Sequence, residues 1–216
     1  MKSVEAAHES VLQAAKQMLR KGLVEGTSGN ISARQADGTI VCTPSSVDYE
    51  AMTLEDLVVV GPDGAVVSGA PGRSPTSELA LHLACYEAFE DVGSVIHAHP
   101  VWATMFACAR KPVPACVDEF SMYVGGEARC AQYAMSGSAE VGTNAVKALE
   151  GRGAALIANH GMVAVGPNPA KTLHIVALVE RTAQIAWGAA ALGGIVEVPQ
   201  KVNDDFAGVY QLMRSL

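Results

Sequence analysis

Three histidines stand where a chain can build a metal site. His97 and His99 close the apolar run at residues 94–100, SVIHAHP, and His160 follows a second apolar run, residues 154–158. Alternate side chains of a strand leave the same face, so we expect the imidazoles of His97 and His99 to project side by side. Neutral imidazoles suit zinc, with Mn²⁺ or Co²⁺ as alternatives, and three protein ligands leave one position open for a substrate oxygen. The pattern predicts one zinc ion per chain.

A histidine pair of this kind is by itself more often structural than metal-binding. The Asn159-His160-Gly161 turn and the carboxylate of Glu78 favour the metal site over that alternative. His8, His82 and His174 fall in helical patterns without a partner motif, and His82 stands four residues after Glu78. We expect structural roles for these three histidines.

Three turns rich in hydroxyl groups and glycine indicate an anion site. They are Gly26-Thr27-Ser28-Gly29-Asn30, Thr43-Pro44-Ser45-Ser46 and Ser74-Pro75-Thr76-Ser77. The backbone N–H groups of such turns, and of the helix that the third turn opens, can bind a phosphate. Each alone is also an ordinary turn, and the third can simply cap its helix through Ser74 or Thr76. None matches a GxGxxG or Walker pattern, so together they predict a phosphate pocket and not a nucleotide site.

Glu78 opens the same predicted helix, where a carboxylate often only complements the helix dipole. If the fold brings it beside the three histidines, it becomes a candidate general base. A hydroxyketone bound to a divalent metal has an acidified α-proton, which such a carboxylate can remove while the metal stabilises the enediolate oxygens. These residues therefore predict proton abstraction next to a carbonyl group.

The spacing of apolar residues predicts one domain of the α/β class over residues 1–216. Helical spacing covers residues 3–21, 77–90, 101–109, 138–149 and 169–192. Besides the histidine run, short β-rich runs predict strands at 31–33, 40–43, 57–60, 66–68, 154–158 and 162–165, with a hairpin turn at 61–64. Residues 112–138 show little periodicity, and we expect loops there. The order predicts helices over a mixed or antiparallel sheet.

Composition excludes several classes of function. The chain carries 15 basic and 22 acidic residues, a net charge of −7, and the basic residues are dispersed, so we expect neither a nucleic-acid partner nor an anionic membrane surface. Its first residues lack a signal-peptide pattern, which predicts a cytoplasmic protein. The 5 cysteines include no CxxC pair, which indicates reduced thiols, most of them in the core.

Five motifs in a fixed order resemble the class II aldolase/adducin family along almost the whole chain. They are Gly26-Thr27-Ser28-Gly29-Asn30, Thr43-Pro44-Ser45, Pro75-Thr76-Ser77-Glu78, His97-Ala98-His99 and Asn159-His160-Gly161. The resemblance implies a three-layer αβα fold with a central mixed, mostly antiparallel sheet. It also implies a homotetramer with sites at subunit interfaces, zinc held by the three histidines of these motifs, and Glu78 as the catalytic acid/base.

The same resemblance implies further site residues. Those expected to line the phosphate and hydroxyketone site are Thr27, Gly29, Asn30, Thr43, Thr76 and Ser77. The segment at residues 130–134 is similar to one whose tyrosine, in sugar-phosphate aldolases of the family, reaches a neighbouring subunit's site and acts on the aldehyde oxygen. This makes Tyr133 a candidate catalytic residue. The segment at residues 112–129 is longer here than the corresponding segment of those aldolases. Tyr210 resembles, more weakly, a tyrosine near the site in the C-terminal tail of such enzymes.

The leading hypothesis is a zinc-dependent aldolase that reversibly cleaves a 1-phosphoketose, L-fuculose 1-phosphate or a similar sugar, into dihydroxyacetone phosphate and an aldehyde. Epimerisation of a pentulose phosphate and decarboxylation of a sugar-acid phosphate are alternatives in the same family, and both also need the metal. A non-catalytic, adducin-like interaction module has no need for the three histidines and Glu78. A Schiff-base aldolase would depend on Lys171, which looks solvent-exposed at a helix start after Pro169.

Overall fold

Eight strands form one mixed sheet in the computed structural model, which describes residues 2–214. The strands are β1 (Asn30–Arg34), β2 (Ile40–Cys42), β3 (Val58–Val60), β4 (Val66–Ser68), β5 (Ser94–Ala98), β6 (Arg129–Ala131), β7 (Ala154–Ile157) and β8 (Gly161–Gly166). Their order across the sheet is β4-β3-β2-β1-β5-β8-β7-β6. Only β6 and β7 pair in parallel among these described strands, so the predicted mixed, mostly antiparallel sheet is confirmed.

Helices cover both faces of this sheet. They are α1 (Lys2–Arg20), α2 (Leu79–Ala88), α3 (Val101–Cys108), α4 (Asp118–Val124), α5 (Ala139–Leu149), α6 (Pro169–Ala191) and α7 (Gln200–Arg214), with a 3₁₀ turn at Leu54–Asp56. Residues of α1, α3, α4 and α6 share one core with the sheet, and residues of α2 and α5 share a second core on its other face. The three-layer αβα architecture is therefore confirmed, with α7 packed outside against α4.

Side-chain alternation along the central strands β1 and β5 decides which residues face α2. Ile31 and Ile96 belong to the core shared with α1 and α6. Their neighbours Ser32 and His97 leave the opposite face and contact residues of the α2 segment. The antiparallel register places Asn30 opposite His97, so both side chains lie on that face. Three polar side chains of two adjacent strands are thereby directed into the α2 layer.

The expectation of loops throughout residues 112–138 is wrong, because α4 and β6 lie there. α4 is only 7 residues long and buries Phe120 and Val124, a single apolar pair at helical spacing. β6 is 3 residues long and pairs with β7, a partner distant in sequence. Helix α7, for which no sequence pattern was assigned, has apolar residues at every fourth position, namely Val202, Phe206 and Tyr210. Elements as short as α4 and β6 are visible only once their partners are placed, whereas the period of α7 was present in the sequence.

The start of α2 differs from the sequence prediction. The helix begins at Leu79, and Glu78 occupies the position before its first residue, so neither Ser74 nor Thr76 is its N-cap. The Thr76 hydroxyl instead accepts a hydrogen bond from the Glu78 backbone N–H at 3.3 Å. The Glu78 side chain makes no capping hydrogen bond, and its carboxylate is thus available to other partners.

Two further observations concern membrane-spanning helices and the cysteines. Within residues 2–214 there is no helix that combines the length and the apolar character needed to cross a bilayer. Cys42 and Cys85 are buried, whereas Cys108 is exposed and both Cys116 and Cys130 are half-buried. The expectation that most cysteines lie in the core therefore holds for only two of them.

Two helical glycines give a matched test of the packing between α2 and α5. A Cβ added at Gly142 of α5 would lie 2.8 Å from the Cβ of Ala84 in α2, whereas a Cβ at Gly188 of α6 would meet nothing within 4 Å. We expect Gly142→Ala to lower the free energy of unfolding by about 1–3 kcal/mol through overpacking. Gly188→Ala should raise it by up to about 1 kcal/mol through helix propensity. Urea unfolding at equal protein concentration measures both, and equal stability of the two variants would contradict this packing.

Candidate metal centre

Four side chains from separate parts of the chain meet at one end of the sheet. The Nε2 atom of His97 lies 2.7 Å from Nε2 of His99 and 2.9 Å from Oε2 of Glu78. Nε2 of His160 lies 3.5 Å from Oε1 of Glu78. The four donor atoms all lie within 4.8 Å of one another. These residues are termed the His/Glu cluster below.

Strand β5 and its neighbours fix two of the imidazoles. His97 is fully buried, and its Nδ1 donates to the carbonyl oxygen of Met162 in β8 at 2.9 Å, which leaves Nε2 to face the cluster. His99 follows the end of β5, and its backbone N–H donates to the Leu23 carbonyl at 3.1 Å. The predicted side-by-side projection of these two histidines from a strand end is what the structure shows.

The turn between β7 and β8 supplies the third imidazole. Asn159, just before His160, has a φ of +56°, a left-handed conformation that asparagine tolerates better than most residues. A side chain at Gly161 would collide with the Ala98 carbonyl and the His99 ring, so this turn lies directly against the end of β5. The close approach brings His160 to the other two histidines.

The first hydroxyl-rich turn is equally close to β5. Gly29 has a φ of +74°, and a Cβ there would lie 2.8 Å from the His97 carbonyl oxygen. The Tyr49 hydroxyl donates to the Gly29 carbonyl and holds the turn in place. Asn30 follows in β1, and its Nδ2 donates to Oε2 of Glu78 at 3.3 Å. The turn therefore connects the His/Glu cluster to the predicted phosphate pocket.

The cluster keeps its carboxylate charged and two of its imidazoles neutral. Burial raises the pKa of Glu78, but the hydrogen bond and charge of His97, the charge of His160 and the Asn30 amide outweigh burial and hold that pKa below its ordinary range. Burial, followed by the charges of His97 and His160, lowers the pKa of His99 to about 4. Burial and the charge of His97 also lower the pKa of His160. Both rings therefore offer lone pairs at neutral pH.

The donor set fits a divalent metal of the zinc type. Three imidazole Nε2 atoms converge, and the 2.7 Å between two of them is slightly shorter than the separation of roughly 3.3 Å expected for two ligands about 2.0–2.1 Å from a tetrahedral zinc. The hydrogen bond from His97 Nδ1 to a carbonyl is a common support for a metal-ligating histidine. His97, His99 and His160 can therefore hold the ion, with the carboxylate of Glu78 beside it.

A cavity of about 240 Å³ opens beside the cluster and is termed the hydroxyl-lined cavity. Its walls include His99, His160 and Glu78, and the predicted substrate residues that line it are Thr27, Gly29, Asn30, Thr76 and Ser77. Of the residues that the structure describes, neither a lysine nor an arginine lines it. An anion in this cavity would therefore be held by hydroxyl and backbone N–H groups. The substrate contacts of these residues stay predictions.

The cavity wall also differs from the predicted set in two respects. Thr43 is fully buried and does not line the cavity; its hydroxyl accepts a hydrogen bond from the Ile31 backbone N–H at 3.1 Å, so it supports β1. Ser136, which sequence reasoning missed, lines the cavity and donates to Oε1 of Glu78 at 3.3 Å. The signal that was available is its place in another turn of serines and glycine, residues 136–138.

Three other candidates lie away from the cluster of their own chain. Tyr133 is 61% exposed and its ring lies 5.8 Å from the Arg110 guanidinium, so action in a neighbouring subunit stays a prediction. Tyr210 is buried in the wall of a mostly apolar cavity of about 410 Å³ beside Gly166, at the end of β8 remote from His160. Tyr210 therefore does not lie beside the cluster of its own chain, and its resemblance to a tail tyrosine near a site stays a prediction. Lys171 is exposed, as expected, and borders the same remote cavity.

Comparison with known proteins agrees with this geometry. Residues 9–187 match the Class II Aldolase and Adducin N-terminal domain. The chain is 34% identical to the 5-methylthioribulose-1-phosphate/5-deoxyribulose-1-phosphate aldolase of Rhodospirillum rubrum, over 84% of this chain and 80% of that one. It is 33% identical to the L-ribulose-5-phosphate 4-epimerase UlaF of Salmonella paratyphi C, over 83% of each. A solved L-fuculose 1-phosphate aldolase matches with a TM-score of 0.90 and 34% identity, covering 95% of this chain and 96% of that one.

The chain therefore belongs to the class II aldolase and adducin family, as the order of its motifs indicated. Within that family it is an enzyme, a carbon–carbon lyase of the class II aldolase type. Metal dependence is general to this family, and the His/Glu cluster is a group of side chains able to hold the ion.

We expect about one zinc ion per subunit in the purified, untagged protein, because three Nε2 atoms converge on one point. His97→Ala removes the central imidazole and should abolish both metal content and activity. His8→Ala, in α1 and outside the cluster, is the matched control and should change neither. Elemental analysis of the three proteins checks this, and a fully active enzyme without metal would contradict the site.

Proposed function

We propose that this enzyme reversibly cleaves a 1-phosphoketose into dihydroxyacetone phosphate and an aldehyde, with one zinc ion held by His97, His99 and His160. The observation that carries the proposal is the position of Glu78, whose carboxylate borders both the imidazoles and the hydroxyl-lined cavity. Two of the similar proteins are named for aldol cleavage of sugar 1-phosphates, which agrees with this reaction class.

Glu78 is the proton carrier in this proposal. A divalent metal in the site supplies Lewis acidity, which polarises a ketone oxygen and acidifies the neighbouring C–H bond. Glu78 accepts that proton in the synthetic direction and returns it to carbon after cleavage. Asn30 and Ser136 each donate a hydrogen bond of 3.3 Å to one of its two oxygens, so the carboxylate is oriented before substrate arrives. A carboxylate that is charged and fixed in this way is suited to act as the base.

The hydroxyl-lined cavity is the proposed site of the phosphate. Thr76 and Ser77 lie immediately before the first turn of α2, where the positive end of the helix dipole favours an anion. Thr27 and Gly29 face them from the turn before β1. A phosphate bound among these groups places the adjacent carbonyl of a short ketose toward the imidazoles and Glu78.

A homotetramer with sites at subunit interfaces completes the proposal. Ser136 lines the cavity, is itself exposed, and stands three residues after the exposed Tyr133. We assign Tyr133 to a neighbouring subunit's site, where its hydroxyl donates a proton to the aldehyde oxygen. Its exposure, with the ring against Arg110 and away from its own cavity, supports that assignment.

Epimerisation of a pentulose phosphate is the second candidate function. The observation that favours it is the 33% identity to the UlaF epimerase over 83% of each chain. Such an epimerase uses a related retro-aldol step, so the same imidazoles and a nearby acid/base group serve both reactions. The two functions differ in whether the aldehyde leaves, and experiments on the free triose phosphate separate them.

We expect Glu78→Gln to keep its zinc and to lose activity. Glutamine fills the same volume and can keep hydrogen bonds to its neighbours, but its amide cannot accept the proton. The rate should fall by roughly 10²–10⁴, the usual range for general acid/base catalysis. Steady-state kinetics with parallel metal analysis measures this, and Glu50→Gln, an exposed carboxylate paired with Arg20, is the matched control that should remain active. A Glu78→Gln rate close to that of the wild type would remove Glu78 from the mechanism.

Dihydroxyacetone phosphate alone should exchange one C3 proton with deuterated water in the presence of the zinc-loaded enzyme. The reason is that Glu78 acts before any aldehyde arrives, and the fixed carboxylate can reach only one face, so exchange should be stereospecific. Proton NMR of the triose phosphate follows the reaction, with Glu78→Gln as the inactive control.

Other reaction classes give different results in the same experiment. An epimerase need not act on the free triose phosphate and interconverts pentulose phosphates without releasing an aldehyde. A decarboxylase releases carbon dioxide from a 3-keto acid phosphate. Absence of exchange in zinc-replete protein, together with either of these activities, would overturn the aldolase proposal while leaving the metal site and Glu78 in place.

A further inference from the structure

A buried chain of hydrogen bonds leads from Glu78 into the core. Oε2 of Glu78 accepts from Nδ2 of Asn30 at 3.3 Å, and Oδ1 of Asn30 lies 2.6 Å from Nε2 of His82. Nδ1 of His82 lies 2.7 Å from Oγ of Ser32, which is 2.8 Å from the Tyr86 hydroxyl. Every one of these residues is at most 8% exposed. The five are termed the polar ladder.

Matching repeats of a helix and a strand create the polar ladder. Glu78, His82 and Tyr86 are spaced four residues apart along the α2 segment, and each interval advances about 6 Å along a helix. Asn30 and Ser32 are two residues apart in β1, which advances about 6.6 Å along a strand. The two strand residues therefore fit between the three helix residues, and contacts alternate from one element to the other.

Hydrogen-bond chemistry gives the ladder one direction. An ionised carboxylate only accepts, so Asn30 turns its NH₂ group to Glu78 and its oxygen to His82. That oxygen also only accepts, so His82 donates from Nε2 and keeps Nδ1 as an acceptor. Ser32 then donates to Nδ1 and accepts from Tyr86. Each donor in the ladder has one acceptor.

Burial keeps the ladder in this protonation state. Burial, aided by the charge of His97, lowers the pKa of His82 to about 3, so its ring is neutral at physiological pH. Burial likewise raises the pKa of Tyr86, so its hydroxyl remains a donor. Apart from Glu78, the residues of the ladder are therefore uncharged, and their effect is to orient the Glu78 carboxylate.

We infer that His82 is a positioning residue for Glu78, acting through the amide of Asn30. Its Nε2–H fixes which end of that amide meets the carboxylate, and this inference rests on the proposed proton-transfer role of Glu78. Without His82, the Asn30 side chain can turn its oxygen toward the carboxylate and repel it. The sequence pattern predicted only a structural role for His82, whereas the polar ladder links His82 to the carboxylate of Glu78.

Three substitutions at position 82 test the inference in the zinc-loaded enzyme. His82→Leu removes both hydrogen bonds and should lower kcat roughly 10- to 100-fold with KM and zinc content unchanged, the range typical of residues that orient the ligands of a metal site. His82→Gln can place an amide donor at Asn30 and should recover most of that loss. His82→Asn is too short to reach Asn30 and should not recover it. If His82→Leu fails to fold, the Gln and Asn variants carry the same comparison.

A merely structural role for His82 predicts a different result. All three variants would then lose thermal stability yet keep the wild-type kcat per zinc-loaded site, and that outcome would overturn the inference. A double-mutant cycle adds a second readout: in an Asn30→Ala background, His82→Asn should lower kcat no further, because its effect passes through Asn30. Additive losses would show that His82 acts by another route.

Nitrogen-15 NMR of the imidazole gives a readout that is independent of activity. We expect His82 to be protonated at Nε2 and unprotonated at Nδ1 in the wild type. A proton on Nδ1 would reverse the ladder and overturn the inference. An inactive wild type, or an active Glu78→Gln, would instead defeat the proposed function. An active wild type with an inactive Glu78→Gln and an undiminished His82→Asn would defeat the inference about His82 alone.

Discussion

The antiparallel pairing of β1 with β5 is the constraint on which the rest of the site depends. Its register places Asn30 opposite His97 and turns both side chains toward the α2 layer. A slip of one residue would turn His97 into the apolar core beneath α1 and α6 and would bring an aliphatic side chain to Glu78. Gly29 secures the register, because its lack of a side chain lets the turn before β1 touch the His97 carbonyl. One strand pair thus positions a candidate metal ligand, a hydrogen-bond partner of the Glu78 carboxylate and part of the cavity wall together.

Burying Glu78 would be costly if its charge were unpaired, and the surroundings offset that cost. His97 and His160 face its two oxygens, and Asn30 and Ser136 donate hydrogen bonds to them. The deeper members of the polar ladder are likewise satisfied, so the low polarity of the core strengthens their hydrogen bonds instead of penalising them. The carboxylate is therefore ionised, so that it can accept a proton, and it is held in one orientation.

Local sequence patterns were sufficient to predict most helices and strands and to name the four side chains of the His/Glu cluster. The H-x-H strand end, the Asn-His-Gly turn and the turn before β1 are each short and contiguous, so their shapes depend little on distant residues. Their convergence was not derivable in the same way, because β1, β5 and β8 are adjacent in the sheet but far apart in sequence. Sequence reasoning missed α4 and β6 because they are too short to show a period. It missed the link of His82 to Glu78 because the hydrogen-bond partners of His82 lie on another element. The sequence signal for this link was the four-residue spacing of polar residues at 78, 82 and 86 in a helix, together with the two-residue spacing of polar residues at 30 and 32 in a strand.

In the proposed function, buried parts of the chain carry the proton-transfer residues, and more exposed turns carry the residues that bind the sugar phosphate. His97 and most of the polar ladder lie on strands and on α2, and Glu78, His99 and His160 lie directly at the ends of such elements, so packing of the sheet and α2 fixes their geometry. The residues proposed to bind phosphate lie on turns that these elements hold in place. The solved aldolase and the Rhodospirillum rubrum enzyme are both named for sugars that carry a phosphate at carbon 1. Their sugars differ at the other end of the ketose. In the proposed function, that end of the sugar faces Ser136 and the segment that carries Tyr133. On this proposal, the exposed segments contact the part of the sugar that leaves as the aldehyde, while the buried ladder and the strand pair beneath it fix the geometry of proton transfer.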